Sequence, residues 1–302
     1  MPSLPLDGKS LVLAGPGRAG RAFARSWRRA GGRIAGVVSR SGGSGNDPAL
    51  AGAPAFAWED ASPLPATDVL AVTVSDDAIA DAAVRLAPRC RAHLACHFSG
   101  ALSSDLLAPL SDAPTGALAA SLHPVRPFTG AADEDWAGAF VAVEGDEDAC
   151  RAGESLLRAL DARPHRIDVS RKPLYHAAAT LAAGGVAAVL SVAVRGWEEA
   201  GIPEDVAREV LSGLSVRAAE AVGKQRFADA FTGAVARRDT GTVRAHAESL
   251  AGTDDDALRL YAWLAEEILR RTEGRGREEE IRAILAEDRG RAESSRPDRE
   301  DR

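Results

Sequence analysis

The segment Ser10–Gly20, SLVLAGPGRAG, constrains this chain more than any other, because a short apolar run feeds directly into Gly15-Pro16-Gly17-Arg18-Ala19-Gly20 and then into a helical pattern. In a dinucleotide-binding turn each glycine has its own job. Gly15 permits the tight turn out of the strand, Gly17 lets backbone approach a pyrophosphate, and Gly20 allows the helix to pack on the sheet. The anion then rests on free N–H groups at the positive end of the helix dipole. Such spacing arises by chance in a chain with 29 glycines, so context carries the weight. The motif follows a strand, opens a helix over Arg18–Ala30 and precedes a second strand, Arg33–Ser39, as a βαβ unit requires. A glycine-rich turn with a purely structural role is the alternative.

The end of the second strand meets the adenosine ribose. An acidic residue there favours NAD, but this chain has Ser39-Arg40-Ser41 and no Asp or Glu before Asp47. A guanidinium is available for a 2′-phosphate, which selects NADP. Arg40 as one more solvated arginine is the alternative.

At 302 residues and 45% hydrophobic the chain buries a substantial core and divides into about two domains. A net charge of −7 leaves no footprint for nucleic acid. Cys90, Cys96 and Cys150 form no CxxC pair, and no signal peptide is evident, which points to a cytoplasmic protein. Ala177–Val194 runs 18 residues without a charge, near the lower limit of a membrane span. It is mostly alanine and glycine and falls short of the Leu, Ile and Phe content that drives insertion, so a buried helix closely packed by small residues is expected, and no membrane.

Strands and helices alternate up to about residue 170. After Ser41–Pro65, rich in Gly, Pro and Ser, come Asp68–Val74, ending in Ser75-Asp76-Asp77, a helix to Ala87, then His93–His97, Ala117–His123, Ala139–Glu144, a helix over Glu147–Leu160 and a short strand near Arg166–Asp168. This predicts an α/β fold: an N-terminal Rossmann-type, doubly wound, mostly parallel sheet over residues 1–169. Ligands bind such sheets at the carboxyl ends of the strands, which gathers Val74, Ser75, Asp76, Ser99, His123 and Arg126 around one crevice. Beyond residue 170 the patterns are helical: Pro173–Trp197, Pro203–Lys224, Phe227–Arg237, Thr240–Ala251 and Asp255–Arg271. An all-α domain is expected over 170–274. Residues 275–302 are charged and are expected to form a largely disordered tail, with a short helix at Glu278–Leu285.

Chemistry concentrates in Arg171-Lys172-Pro173-Leu174-Tyr175-His176. Lysine is scarce, with only Lys9, Lys172 and Lys224. A lysine can give up its proton when its pKa is lowered, and Lys172 sits at a helix start marked by Pro173, where dipole and burial both lower it. It is the candidate general acid, with His176 one turn on and able to reach the same pocket. An ordinary helix-start lysine and a core histidine bonded to a carbonyl remain the alternative.

Taken in order, GPGRAG, VSDDAI (Val74–Ile79), HFSGALSSDLL (His97–Leu107), SLHPVRPF (Ser121–Phe128), KPLYHAAAT (Lys172–Thr180) and FTGAVARRDTGTVRAH (Phe231–His246) resemble a family of Rossmann-type proteins whose second half is a C-terminal domain of unknown function. The resemblance runs from about residue 8 to 270. The family is similar in architecture to pyrroline-5-carboxylate reductase and to the 6-phosphogluconate dehydrogenase superfamily, with an NADP-binding domain and a helical domain that often builds a dimer. Some members are suspected ketopantoate reductases. The resemblance thus implies NADPH-dependent reduction of a small carbonyl or imine acid by a homodimer.

Departures matter as much. Relatives carry asparagine where this chain has Gly184, and reductases of the superfamily use Lys and Asn on this helix to protonate and orient substrate. The single asparagine is Asn46. Relatives' TGP and RGD appear as Thr232-Gly233-Ala234 and Arg237-Arg238-Asp239. If the site is active, Lys172 is the first candidate donor and His176 or His123 the second. Arg126 is a candidate carboxylate clamp, Ser99 lies beside the nicotinamide, and Gly184 and Asp239 line the substrate pocket. For His123, Arg126 and Asp239 structural roles stand as alternatives. Gly8-Lys9-Ser10 is no P-loop, no GxSxG surrounds Ser99 or Ser121, and His93 and His97 lie about 13 Å apart on a strand, too far for one metal ion. An NADP-dependent reductase and a non-catalytic dinucleotide-binding sensor or assembly protein are the two functions left.

Overall fold

The structure, a computed structural model, describes residues 5–43, 47–112, 116–272 and 274–294. Among the described residues eight strands form one sheet: β1 (Ser10–Ala14), β2 (Arg33–Ser39), β3 (Ala55–Ala57), β4 (Thr67–Val72), β5 (Ala92–His97), β6 (Leu118–Pro124), β7 (Phe140–Gly145) and β8 (Arg163–Arg166). Their order is β3-β2-β1-β4-β5-β6-β7-β8. All neighbours run parallel except β6 and β7, which pair antiparallel with His123 opposite Ala142. The order reverses between β1 and β4, and there the crevice of a doubly wound sheet opens.

Every residue of β1 is buried, because helices cover both faces of the sheet. Leu11 and Leu13 point into one core with Phe23, Trp27 and Trp136, while Val12 and Ala14 point into the other with Ile79, Leu86 and Leu107. That period of two explains why an uninterrupted apolar run folds as a strand. Phe23 and Trp136 meet edge-on with centroids 4.9 Å apart, so the first helix (Arg18–Arg29) is fixed on the sheet beneath the glycine turn.

Four expectations need correction. The stretch Ser41–Pro65 holds β3, an edge strand of three residues whose Phe56 packs on Gly36; it is too short for any alternation to show. The helix expected over Pro173–Trp197 is interrupted: Lys172–Thr180 is followed by a π-helical turn, Leu181–Gly185, and then by Val186–Glu199. Phe227–Arg237 is two short helices, Phe227–Ala230 and Ala234–Arg237, because Phe231 and Gly233 are extended. The charged C-terminal segment, expected as a largely disordered tail, forms a helix over Glu278–Ser294 whose Ile281, Ile284 and Leu285 join a core with Val243, Leu258 and Leu269. The apolar residues recur at i, i+3 and i+4, a pattern masked by the charges between them. Residues 295–302 lie outside the described residues.

The chain divides into two compact units, Met1–Ala183 and Gly184–Arg302. In the second unit the helices Val186–Glu199 and Glu204–Lys224 pair around Val194, Ala207 and Leu211. The small-residue segment Ala177–Val194, expected to be buried, is instead mostly exposed: Leu181 is 69% and Val186 44% exposed. Val169–Glu199 has the length and apolar character of a membrane span, yet its alanines and glycines contribute little to insertion.

Candidate functional site

The glycine turn is built against the end of β4. Gly15 has φ +88°, and a Cβ there would come within 2.7 Å of Val74 Cγ1; a Cβ on Gly20 would lie 2.4 Å from Thr73 Oγ1. The protein's own packing therefore demands both glycines. Gly17 differs: its nearest contact would be Thr73 O at 3.7 Å, ordinary van der Waals distance. Nothing in the fold itself requires glycine at 17, whereas a ligand lying against the backbone would. The helix begun there has no side-chain cap and no acidic residue in its first turn, which leaves its first amides open to an anion.

A cavity of about 600 Å³ opens at this point, lined by Gly15, Pro16, Gly17, Ser39, Arg40, Ser41, Val74 and Ser75, all expected from the sequence. Arg18, Ala19, Gly20, Asp76 and Ser99, expected with them, are not in its wall. Ala19 and Gly20 belong to the helix turn, and Gly20 faces Thr73. Ser39 Oγ donates to Gly43 O at 2.7 Å and accepts from Gly43 N–H at 3.1 Å, folding the loop after β2 so that Arg40 and Ser41 border the cavity. Among the described residues no carboxylate or carbonyl meets the exposed Arg40 guanidinium. Trp58, missed in the sequence, also lines the cavity. Its N–H donates to Ser39 O at 3.0 Å, and the buried Arg89 donates to the Trp58 and Ser62 carbonyls at 3.3 and 3.1 Å. Only its remoteness from the fingerprint hid it.

A second cluster forms where β4, β5 and β6 end. Lys172 is 1% exposed. Its ammonium donates to Leu102 O, to Ser121 Oγ at 2.7 Å and to Glu144 Oε2 at 3.1 Å, so each of its three protons has an acceptor. Glu144, buried on β7, also accepts from Ser104 N–H at 2.9 Å and from Ser104 Oγ at 2.8 Å. Burial pulls the Lys172 pKa down and Glu144 pulls it back up. The candidate general acid is thus a buried lysine whose pKa burial lowers, as expected, and whose bonds also pin the start of helix Lys172–Thr180 to the sheet. Removing one partner of such a pair costs about 3–5 kcal/mol.

His97, wholly buried, accepts from Ser99 N–H through Nδ1 at 3.1 Å and therefore donates from Nε2 to Ser103 O at 3.1 Å; burial pushes its pKa down to about 4. Ser99 Oγ donates to Asp76 Oδ2 at 2.8 Å and accepts from Leu102 N–H at 3.1 Å, so its hydroxyl organises the loop. His123 Nδ1 shares a hydrogen bond of 2.9 Å with the Tyr175 hydroxyl, and the His123 and His176 rings meet edge-on at 5.4 Å. Burial, then the neighbouring His176 and Lys172, hold His123 down to about 4; burial pushes Tyr175 up to about 12. Gly100 is small because a Cβ would lie 2.6 Å from His176 and 2.8 Å from His123.

The remaining candidates make bonds of their own or none. Arg126 is exposed and donates from Nη1 to Asp135 O at 2.7 Å and to Ala137 O at 3.4 Å, bracing a loop. Gly184 is exposed in the π-helical turn. Asp239 caps helix Thr240–Ala251, accepting from Thr242 N–H at 3.1 Å and Thr242 Oγ1 at 2.7 Å, bonds that lower its pKa.

Fold and crevice define a Rossmann-type α/β protein with an all-helical C-terminal unit. Residues 139–268 match the family described as "Domain of unknown function (DUF2520)". No curated protein matches the chain. Among solved structures it is similar to protein TM1727 from Thermotoga maritima, at 23% identity and TM-score 0.65, covering 87% of this chain and 98% of that one. It is also similar to Plasmodium falciparum pyrroline carboxylate reductase with NADP bound, at 11% identity and TM-score 0.59 over 95% and 99% of the two chains. A third similarity is to the Aspergillus terreus reductive aminase in complex with NADPH4, cyclohexanone and allyl amine, at 17% identity and TM-score 0.60 over 92% and 99%. At these identities the likeness carries the fold.

Proposed function

We propose that the chain is an NADP(H)-dependent reductase of a small C=O or C=N substrate. One observation carries this reading: the cavity at the β1/β4 switch point, where Gly17 is glycine without any internal need and Arg40 is a cation without a partner among the described residues. Gly15–Gly20 would hold the pyrophosphate, and Ser39, Arg40 and Ser41 the 2′-phosphate. NADPH, when bound, supplies a hydride. The strand ends beyond the cavity then present Ser99, His123, Tyr175 and His176 to the substrate. Lys172 acts as their anchor, and the hydrogen-bonded His123–Tyr175 pair borders the substrate. The structures of relatives with nicotinamide cofactors support the same use of the fold.

The partner is a second copy of this chain. Val206, Val210 and Leu214 form an i, i+4, i+8 stripe on helix Glu204–Lys224 and are 43%, 46% and 57% exposed, an apolar face that one chain leaves wet.

Calorimetric titration with NADPH and with NADH tests the reading. Tight, NADPH-selective binding is expected, with Arg40→Ala losing most of the preference, a drop of about tenfold or more in NADPH affinity. A wild-type protein that binds neither cofactor overturns it.

A further inference from the structure

We infer that the substrate is a cationic imine, an iminium without need of a carboxylate, and that Asp76 is its counter-ion. This rests on the reductase reading above and names its substrate class. The inference comes from the charges around the strand ends. Lys172, the cation of the cluster, is neutralised by Glu144 at 3.1 Å and has no proton left unbonded. Arg126 lends its Nη1 to two loop carbonyls. Asp76 stands opposite: Ser99 Oγ holds Oδ2 at 2.8 Å, the residue is exposed, and among the described residues nothing takes Oδ1. Gly100, which follows Ser99, abuts the His176 and His123 rings, so the carboxylate that Ser99 holds lies one residue along the loop from them. Asp77, also exposed, adds a second negative charge beside it. Ser75, its chain neighbour, lines the cofactor cavity, which puts Asp76 at the boundary between cofactor and cluster.

The reaction balances without any further group. The hydride pair moves from C4 of the reduced nicotinamide to the iminium carbon. The C=N π electrons become the nitrogen lone pair, the cofactor leaves oxidised, and the proton already on nitrogen stays there. No proton is consumed in the step. A ketone is different, because its alkoxide must be protonated. Near neutral pH His123 carries no spare proton, Tyr175 holds its own tightly, and all three Lys172 protons are bonded. A keto acid also brings its carboxylate towards Asp76 instead of towards a cation.

The test is NADPH oxidation by the full chain, followed by absorbance, with a methyl-substituted cyclic pyrroline, its carboxylated analogue and a set of small 2-keto acids. Expected is a kcat/KM for the uncarboxylated pyrroline at least about tenfold above the keto acids. Asp76→Asn should lower that value by about tenfold or more while the calorimetric affinity for NADPH stays unchanged. Preference for a keto acid, indifference to Asp76→Asn, or NADPH binding without oxidation by either pyrroline overturns the iminium assignment and spares the cofactor reading. Failure to bind NADPH overturns the reductase reading beneath it.

Discussion

The three glycines of one six-residue turn are not equivalent. A methyl group on Gly20 would strike Thr73 Oγ1, a side chain held in place by its bonds to Ala14 and Gly15, and a methyl on Gly15 would strike Val74 from a left-handed backbone. Gly17 has room for a methyl group within the protein. Gly20→Ala is therefore expected to lower Tm by several degrees, a loss of about 1–3 kcal/mol. Gly17→Ala should melt with the wild type yet bind NADPH at least about tenfold more weakly. Thermal melts and cofactor titrations on both variants separate the two roles, and equal cofactor affinity in Gly17→Ala would remove the ligand from the turn. The roles of Gly15 and Gly20 were legible in sequence because the motif is local. The pairing of Lys172 with Glu144 was not, since the two are 28 residues apart and meet only through the β6/β7 pairing and the helix start.

Among the elements, the C-terminal helix Glu278–Ser294 departs most from its charged sequence. Arg238 explains how it is held. With φ +60° it occupies a left-handed backbone that glycine prefers, and it is 4% exposed. It donates to Thr272 O at 2.8 Å, Thr272 Oγ1 at 3.0 Å, Gly276 O at 3.1 Å and Glu278 Oε1 at 2.9 Å. A buried guanidinium so fully bonded offsets the backbone cost and ties the helix start to the body of its unit. Arg238→Ala should destabilise the second unit by on the order of 3 kcal/mol. Hydrogen exchange would show Glu278–Leu285 losing protection first; unchanged protection there would refute the tie. The interruption at Leu181–Gly185 was equally invisible, because a π turn differs from an α turn by one residue and leaves no mark in an alanine-rich run.

For the whole molecule, exposed apolar surface sets the expectation. Helix Glu204–Lys224 has 21 residues, and within its own chain Ala207 and Leu211 are the ones it buries. So thin a core does not hold a long helix pair, and the dimer proposed above would supply the missing cover. Leu214→Glu, at a position 57% exposed and so harmless to the single chain, should halve the mass measured by sedimentation, and a monomeric wild type would contradict the dimer. The sequence by itself determined the βαβ entry, the doubly wound sheet, the helical second unit and, in the cavity wall, Gly15, Pro16, Gly17, Ser39, Arg40 and Ser41. Hydrophobic period and turn chemistry act over a few residues and are written there directly. Only the tertiary structure decided that Lys172 is buried against Glu144, that Ser99 holds Asp76, that Trp58 borders the cavity and that the small-residue helix lies exposed. Those depend on which distant groups share a strand end and which charges cancel, sums that no local pattern contains.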